Sequence, residues 1–200
     1  TSVALRGLGV ETVALGFVAG ETGKALVRRL EGYGIRHDLV WVAGETRLAH
    51  VIVETAAHAE YEFRDHSHIT TPGTPVTEAQ GEDLLARFRR RLAGAEFVVA
   101  AGSIVEGLPR TFYQTLTEIA RAAGKAILLD CSGEAMRNAA AANPAIMKMN
   151  QVEFSETFGA DTETIDGLAQ AGREITRQHP GSSVVLTLGR RGILAVTPEG

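Results

Sequence analysis

A chain of 200 residues with 44% hydrophobic content can bury one full core, and one domain with an appendage is the expected size class. The formal net charge is −4, with 20 Lys and Arg against 24 Asp and Glu, which argues against a nucleic-acid surface. The single cysteine, Cys131, excludes an intrachain disulfide; no apolar run approaches a membrane span and no signal peptide opens the chain, so a cytoplasmic protein with no membrane partner is expected.

In chain order, TVALGFV at 12–18 reads as a strand and ETGKALVRRLEGYG at 21–34 as a helix ending in glycines. Between His37 and Asp65 three strand-like runs follow with no helix between them, which suggests a small antiparallel sheet projecting from the main body. The alternative is an ordinary antiparallel extension of the core sheet. EAQGEDLLARFRRRLAG at 78–94 is helical, and its basic RFRRRL is read as a solvated face. A buried strand, EFVVAAG, comes next. PRTFYQTLTEIARAAGK then carries Pro109 near a helix start and Gly124 near its end. KAILLDCSG, a short alanine-rich helix and the strand AIMKMN follow, and a long helix at 163–179 leads into SSVVLTLG and GILAV. The strands from 96 onward are continuously apolar and separated by helices, as in a parallel sheet covered on both faces. The expected organisation is an α/β body over 1–36 and 66–200 with a β-strand lid, 37–65, inserted into it. TSVALRGLGV opens within a helical pattern and GILAVTPEG stops just after a strand, so the 200 residues are expected to be part of a longer domain.

IMKMNQVEFSETF at 146–158 releases polar residues at the end of an apolar run. Lys148 and Asn150 are two apart, hence on one side of an extended chain. Glu153 is adjacent to Asn150 if a helix begins between them. Two readings stand. A cation, an amide and a carboxylate could converge at the C-terminal edge of a sheet, where open α/β folds bind ligands. Alternatively, Asn150 caps the next helix with Glu153 as its N3 partner. His66 and His68 beside Asp65 read as a solvent-facing loop ahead of a metal site, and Cys131 as a buried thiol ahead of a nucleophile. Neither TLGRRG at 187–192 nor GLG at 7–9 completes a G-x-G-x-x-G turn, which disfavours a nicotinamide-dependent dehydrogenase.

Taken in order, ALGFVAGETG (14–23), GETR (44–47), AAGSIVEGLP (100–109), LLDCSGEAM (128–136), KMNQVEF (148–154) and TLGRRG (187–192) resemble the PfkB/ribokinase superfamily of carbohydrate kinases. The resemblance is specifically to its hexose-phosphate branch, the tagatose-6-phosphate kinase and 1-phosphofructokinase group. The resemblance implies a ribokinase-like three-layer α/β/α sandwich with a mostly parallel sheet and a small β lid, incomplete in this stretch. It implies ATP-dependent phosphorylation of a hydroxyl on a phosphorylated hexose, with ATP and Mg2+ as cofactors and a homodimer formed through the lid.

By the same resemblance, Lys148, Asn150 and Glu153 lie beside the nucleotide phosphates. Asn150 and Glu153 organise the magnesium through its waters, and Lys148 faces the phosphoryl groups or the sugar. A lysine and Mg2+ suit the charge that spreads over a transferring phosphoryl group, and magnesium keeps several waters of its own. Thr187 would donate to a phosphate or ribose oxygen, while Gly189 and Gly192 allow close backbone approach. Arg47 would take the sugar's own phosphate in bidentate fashion, the alternative being a salt bridge to Glu45 or Glu62. Ser2 stands where the family places a sugar-binding Asn, Ser103 is a candidate to line the sugar site, and Asp130 is taken as mainly structural.

The sequence also departs from the family pattern. Ala49 replaces an Asn, KMN replaces K-P-N, and Glu106 in GSIVEG stands near a site meant for anionic sugars. No G-A-G-D stretch, whose aspartate takes the proton of the attacking hydroxyl, occurs in the 200 residues, so this stretch by itself is expected to be inactive. Two alternatives remain: a non-catalytic sugar- or nucleotide-binding relative, and a ribokinase-like kinase of an unphosphorylated sugar or nucleoside. Fructose 1-phosphate, fructose 6-phosphate and tagatose 6-phosphate are not separated.

Overall fold

Short strands alternating with amphipathic helices form the first of two units, Thr1–Leu84. The computed structural model describes residues 1–47, 49–50, 69–70, 75–160 and 164–199. The unit contains α1 (Ser2–Gly7), β1 (Val13–Ala14), β2 (Phe17–Val18), α2 (Gly20–Gly32), β3 (Arg36–His37), β4 (Val40–Trp41), β5 (Ala49–His50) and β6 (Ile69–Thr70). α3 (Glu78–Leu92) begins in it. β1 pairs with β3 and β2 with β4, both in parallel; β5 and β6 pair antiparallel. The run expected as one strand at 12–18 forms as two pieces, each with its own partner. Most of the expected lid, 37–65, lies outside the described residues, as do Asp65, His66 and His68.

The second unit, Leu85–Gly200, is an α/β layer built on one five-stranded sheet. Its elements are β7 (Phe97–Ala101), α4 (Phe112–Ala122), β8 (Ala126–Asp130), α5 (Gly133–Ala140), β9 (Ile146–Asn150), α6 (Gln151–Phe158), α7 (Ile165–Gln178), β10 (Ser183–Thr187) and β11 (Ile193–Val196). The strand order is β7-β8-β9-β10-β11. The first four are parallel and joined by helices; β11 runs antiparallel to β10. Only the tight turn at 188–192 links those last two strands, too short for the crossover a parallel pairing needs. A mostly parallel sheet with flanking helices is the architecture expected from the apolar strands.

Strand alternation divides this sheet into two unlike faces. Ile127, Leu129, Met147, Met149, Val184 and Leu186 share one face by register and are fully buried. Burying each such side chain contributes on the order of 1.5–3 kcal/mol. α7 lies close on this face: a Cβ added at Gly172 would sit 2.8 Å from a methyl of Val196. The opposite face leaves Phe97, Val99 and Ile193 exposed among the described residues. It is also the face that carries Asp130, Lys148, Asn150 and Thr187.

Candidate functional site

The register fixes which polar residues meet. Asp130 stands opposite Lys148, and Asn150 opposite Thr187, at the C-terminal ends of β8, β9 and β10. The ammonium of Lys148 donates to both carboxylate oxygens of Asp130, at 3.0 and 3.1 Å. Both side chains are partly exposed, 28% for Lys148 and 40% for Asp130, so the pair contributes at most about 1 kcal/mol to folding. It does more to fix where the ammonium sits than to hold the sheet together.

Beside this pair lies a cleft of about 470 Å³ lined by Ser103, Arg110, Asp130, Ser132, Glu134 and Glu153, among others. That volume is of the size small-molecule sites use. Arg110 Nε lies 3.9 Å from Glu134 Oε2 at the rim. Below, the Tyr113 hydroxyl donates to the Gly102 carbonyl at 2.9 Å, and burial, with Cys131 and Asp130 nearby, pushes its pKa up to about 12. Burial, then the charges of Asp130 and Glu153, pushes the Cys131 thiol up to about 12. Cys131 is therefore a protonated, buried thiol at neutral pH and a poor nucleophile.

At the start of α6 the capping box is fully formed. Asn150 Oδ1 accepts from the Glu153 amide and Glu153 Oε2 accepts from the Asn150 amide, each at 2.8 Å. The capping reading of the sequence thus describes the local geometry, and the same Glu153 carboxylate lines the cleft. The cap engages the single side-chain oxygen of Asn150 and one of the two of Glu153.

The loop after β10 folds back through a hydrogen bond from Leu188 N to Gly192 O at 2.9 Å. Gly189 and Gly192, at φ 58° and 94°, take backbone conformations that suit glycine. The Arg191 guanidinium donates to the side-chain carbonyl of Gln151, tying this loop to the first turn of α6.

The second unit therefore brings Ser103, Asp130, Lys148, Asn150, Glu153, Thr187 and the Gly189–Gly192 loop to one sheet edge. Ser2, which opens α1, and Arg47 belong to the first unit. Arg47 is exposed. The carboxylate of Glu45 turns to the start of α2, accepting from the Glu21 and Thr22 amides at 3.1 Å each. Glu62, the other acidic partner considered for Arg47, lies outside the described residues. Glu106 is exposed on the β7–α4 loop.

Sequence reasoning missed two features. One is the pairing of Asp130 with Lys148, which gives the structural role expected of Asp130 a definite partner; its signal is a single charged residue in each of the strands AILLD and IMKMN. The grip of Glu45 on α2 joins residues 23 and 24 apart, a contact no local pattern announces.

Comparison with known proteins gives the lineage. The family model described as pfkB family carbohydrate kinase matches residues 1–200. The Mycobacterium tuberculosis protein named ATP-dependent 6-phosphofructokinase isozyme 2 is 28% identical over 190 residues, 95% of this chain and 54% of that protein. The structure of a possible 1-phosphofructokinase from Thermotoga maritima aligns with a TM-score of 0.84 at 26% identity, covering 100% of this chain and 61% of that one. Phosphofructokinase-2 from Escherichia coli in complex with fructose-6-phosphate gives a TM-score of 0.79 at 25% identity, covering 100% and 64%. The chain spans about half the length of the curated relatives it matches. Over that span, from α1 to β11, it belongs to the pfkB family of carbohydrate kinases.

Proposed function

We propose that the protein carrying this chain is an ATP-dependent kinase that phosphorylates a hydroxyl of a hexose phosphate. One observation carries the reading: Lys148, Asn150 and Thr187 share one face of the sheet at its C-terminal edge, with Glu153 lining the adjoining cleft. A cation, an amide, a hydroxyl and a carboxylate there suit a polyphosphate with its magnesium. The phosphofructokinase names of the relatives support a phosphorylated hexose as acceptor.

Among the described residues no three His, Cys, Asp or Glu side chains cluster as a protein cage for a metal. The amide of Asn150 at the sheet edge and the carboxylate of Glu153 lining the cleft fit magnesium held through its own waters and phosphate oxygens, as the residues that would receive those waters. When bound, Mg·ATP supplies the transferable phosphoryl group and a positive centre beside it. Lys148 neutralises charge on the phosphoryl oxygens while Asp130 keeps its ammonium at the sheet edge. Thr187, Gly189 and Gly192 approach the nucleotide, and Ser2 and Ser103 the sugar. No G-A-G-D stretch is present, so we assign no proton acceptor within these 200 residues; this stretch alone is expected to show no turnover, and activity is to be measured on the intact protein. Segment 37–65 is proposed as the lid and the homodimer contact; the E. coli relative has been solved in a tetrameric inhibited form. No helix among the described residues is long and apolar enough to cross a membrane.

Arg47 tests the acceptor class. Losing one charge-assisted contact to a substrate phosphate should cost about 1.5–3 kcal/mol, roughly 10- to 150-fold. Binding that is uniform in ground and transition states puts the loss in KM. In the intact protein, Arg47→Ala should raise KM for fructose 6-phosphate, fructose 1-phosphate or tagatose 6-phosphate, and leave the unphosphorylated parents unaffected. Equal loss on both sets, or preferred turnover of a free sugar or nucleoside by the wild type, would favour the ribokinase-like alternative.

A further inference from the structure

Arg47 is exposed, and a long exposed side chain on an unanchored segment would lose much conformational freedom on binding a phosphate. The two residues before it are anchored to α2. Glu45 receives the Glu21 and Thr22 amides at 3.1 Å, through one carboxylate oxygen each. Thr46 Oγ1 accepts from the Ala19 amide at 2.8 Å and donates to the Ala19 carbonyl at 3.1 Å. The Thr46 amide donates to that same carbonyl at 3.1 Å. The turn GET is thus fastened to the residues just before and inside the first turn of a 13-residue helix.

The helix is shaped to receive it. At Gly20, with φ +59°, an added Cβ would lie 2.1 Å from Glu45 Oε1; at Gly23 it would lie 3.1 Å from Thr46 Oγ1. Both glycines of the segment GETG therefore face the GET turn, and any side chain at Gly20 would evict the carboxylate. The pairing of an anion with amides at a helix N-terminus is favourable, and it holds the Glu45 carboxyl below its ordinary range. All of these contacts lie within the first unit.

We propose that Glu45 is a positioning residue, whose grip on the start of α2, with Thr46, sets the backbone from which Arg47 meets the phosphate of the sugar substrate. The inference rests on the assignment of Arg47 given above. It assigns the GET turn a task in substrate affinity that the Glu45 carboxylate performs without touching substrate. Removing the grip leaves the guanidinium in place and makes it pay the ordering cost at each binding event, so the effect belongs in KM for phosphorylated sugars.

The test uses the intact protein and four forms of it: wild type, Glu45→Ala, Arg47→Ala and the double variant. Amide hydrogen exchange at Glu21 and Thr22 reads the grip directly, and both amides should exchange faster in Glu45→Ala. Steady-state kinetics on fructose 6-phosphate and on fructose read its consequence. Glu45→Ala should raise KM for the phosphorylated sugar about three- to tenfold with kcat nearly unchanged and no change on fructose. Glu45→Gln, which keeps one acceptor oxygen, should fall between the two. In the double variant the loss should not exceed that of Arg47→Ala alone, because the grip acts through the arginine. Faster amide exchange with an unchanged KM overturns the proposal while leaving the Arg47 assignment standing, provided Arg47→Ala is phosphate-selective. A loss in Glu45→Ala that is equal on both sugars, or that adds to Arg47→Ala, also overturns it. An unselective Arg47→Ala overturns the Arg47 assignment and this proposal together.

Discussion

Glu153→Gln separates the two tasks assigned to one carboxylate. In the capping box Glu153 Oε2 accepts from the Asn150 amide at 2.8 Å while Asn150 Oδ1 receives the Glu153 amide. Glutamine fills the N3 position of a capping box as well as glutamate does, so the hydrogen bond survives the change. What is lost is a negative charge in the first turn of α6, about 0.3–1 kcal/mol at a partly exposed site. Stability should therefore fall by no more than about 1 kcal/mol. The catalytic consequence should be far larger. Groups that organise a metal through its waters typically cost roughly 10- to 100-fold in metal affinity or activity when removed. The assay is twofold: a denaturant titration for stability, and kcat measured across a magnesium titration in the intact protein. A fall in kcat with a rise in the magnesium needed for half-maximal rate supports the assignment. Kinetics unchanged across the titration, in a variant of nearly native stability, would refute it and leave Glu153 as a helix cap only.

Other outcomes follow from the same geometry. Lys148→Met should lower kcat/KM by roughly 10²- to 10³-fold, yet cost less than about 1 kcal/mol in a denaturant titration, because its pair with Asp130 is partly exposed. Gly172→Ala puts a Cβ 2.8 Å from the buried Val196; overpacking of about 1–3 kcal/mol outweighs a helix-propensity gain of up to about 1 kcal/mol, and Val196→Ala in the same chain should relieve it. Cys131, its thiol raised to about 12 against an ordinary 9.0, should react with an aromatic disulfide reagent at pH 8 only after denaturant is added. Because folding favours the protonated thiol, its contribution to stability is complete below pH 9.0 and is lost as pH rises toward about 12, a slope that Cys131→Ala should reduce.

Much of the second unit was legible because its physics is local. Continuous apolar runs of strand length separated by amphipathic helices point to a parallel sheet, and the two-residue spacing of Lys148 and Asn150 put both on one face. The Asn150–Glu153 spacing predicted a cap, and the cap is there. Legibility ended where a contact spans the chain. Asp130 and Lys148 are 18 residues apart, and only the strand register sets them opposite each other. The division of 12–18 into two strands depends on partners near 36 and 40, which no periodicity in TVALGFV encodes. In the GET turn the sequence pattern points to Arg47, whereas the Glu45 carboxylate nearby reaches helix amides more than twenty positions earlier.

The central claim is transfer of a phosphoryl group from ATP to a hydroxyl of a hexose phosphate. Phosphorus-31 NMR of the intact protein with Mg·ATP and fructose 6-phosphate, fructose 1-phosphate or tagatose 6-phosphate, each in turn, observes that transfer directly. The account predicts that one of these sugars gains a second phosphomonoester resonance as the γ-phosphate signal of ATP declines and ADP appears, and that the reaction collapses in Lys148→Met. An ATP signal that stays constant with all three sugars, or a γ-phosphate that passes instead to an unphosphorylated sugar or nucleoside, would contradict it.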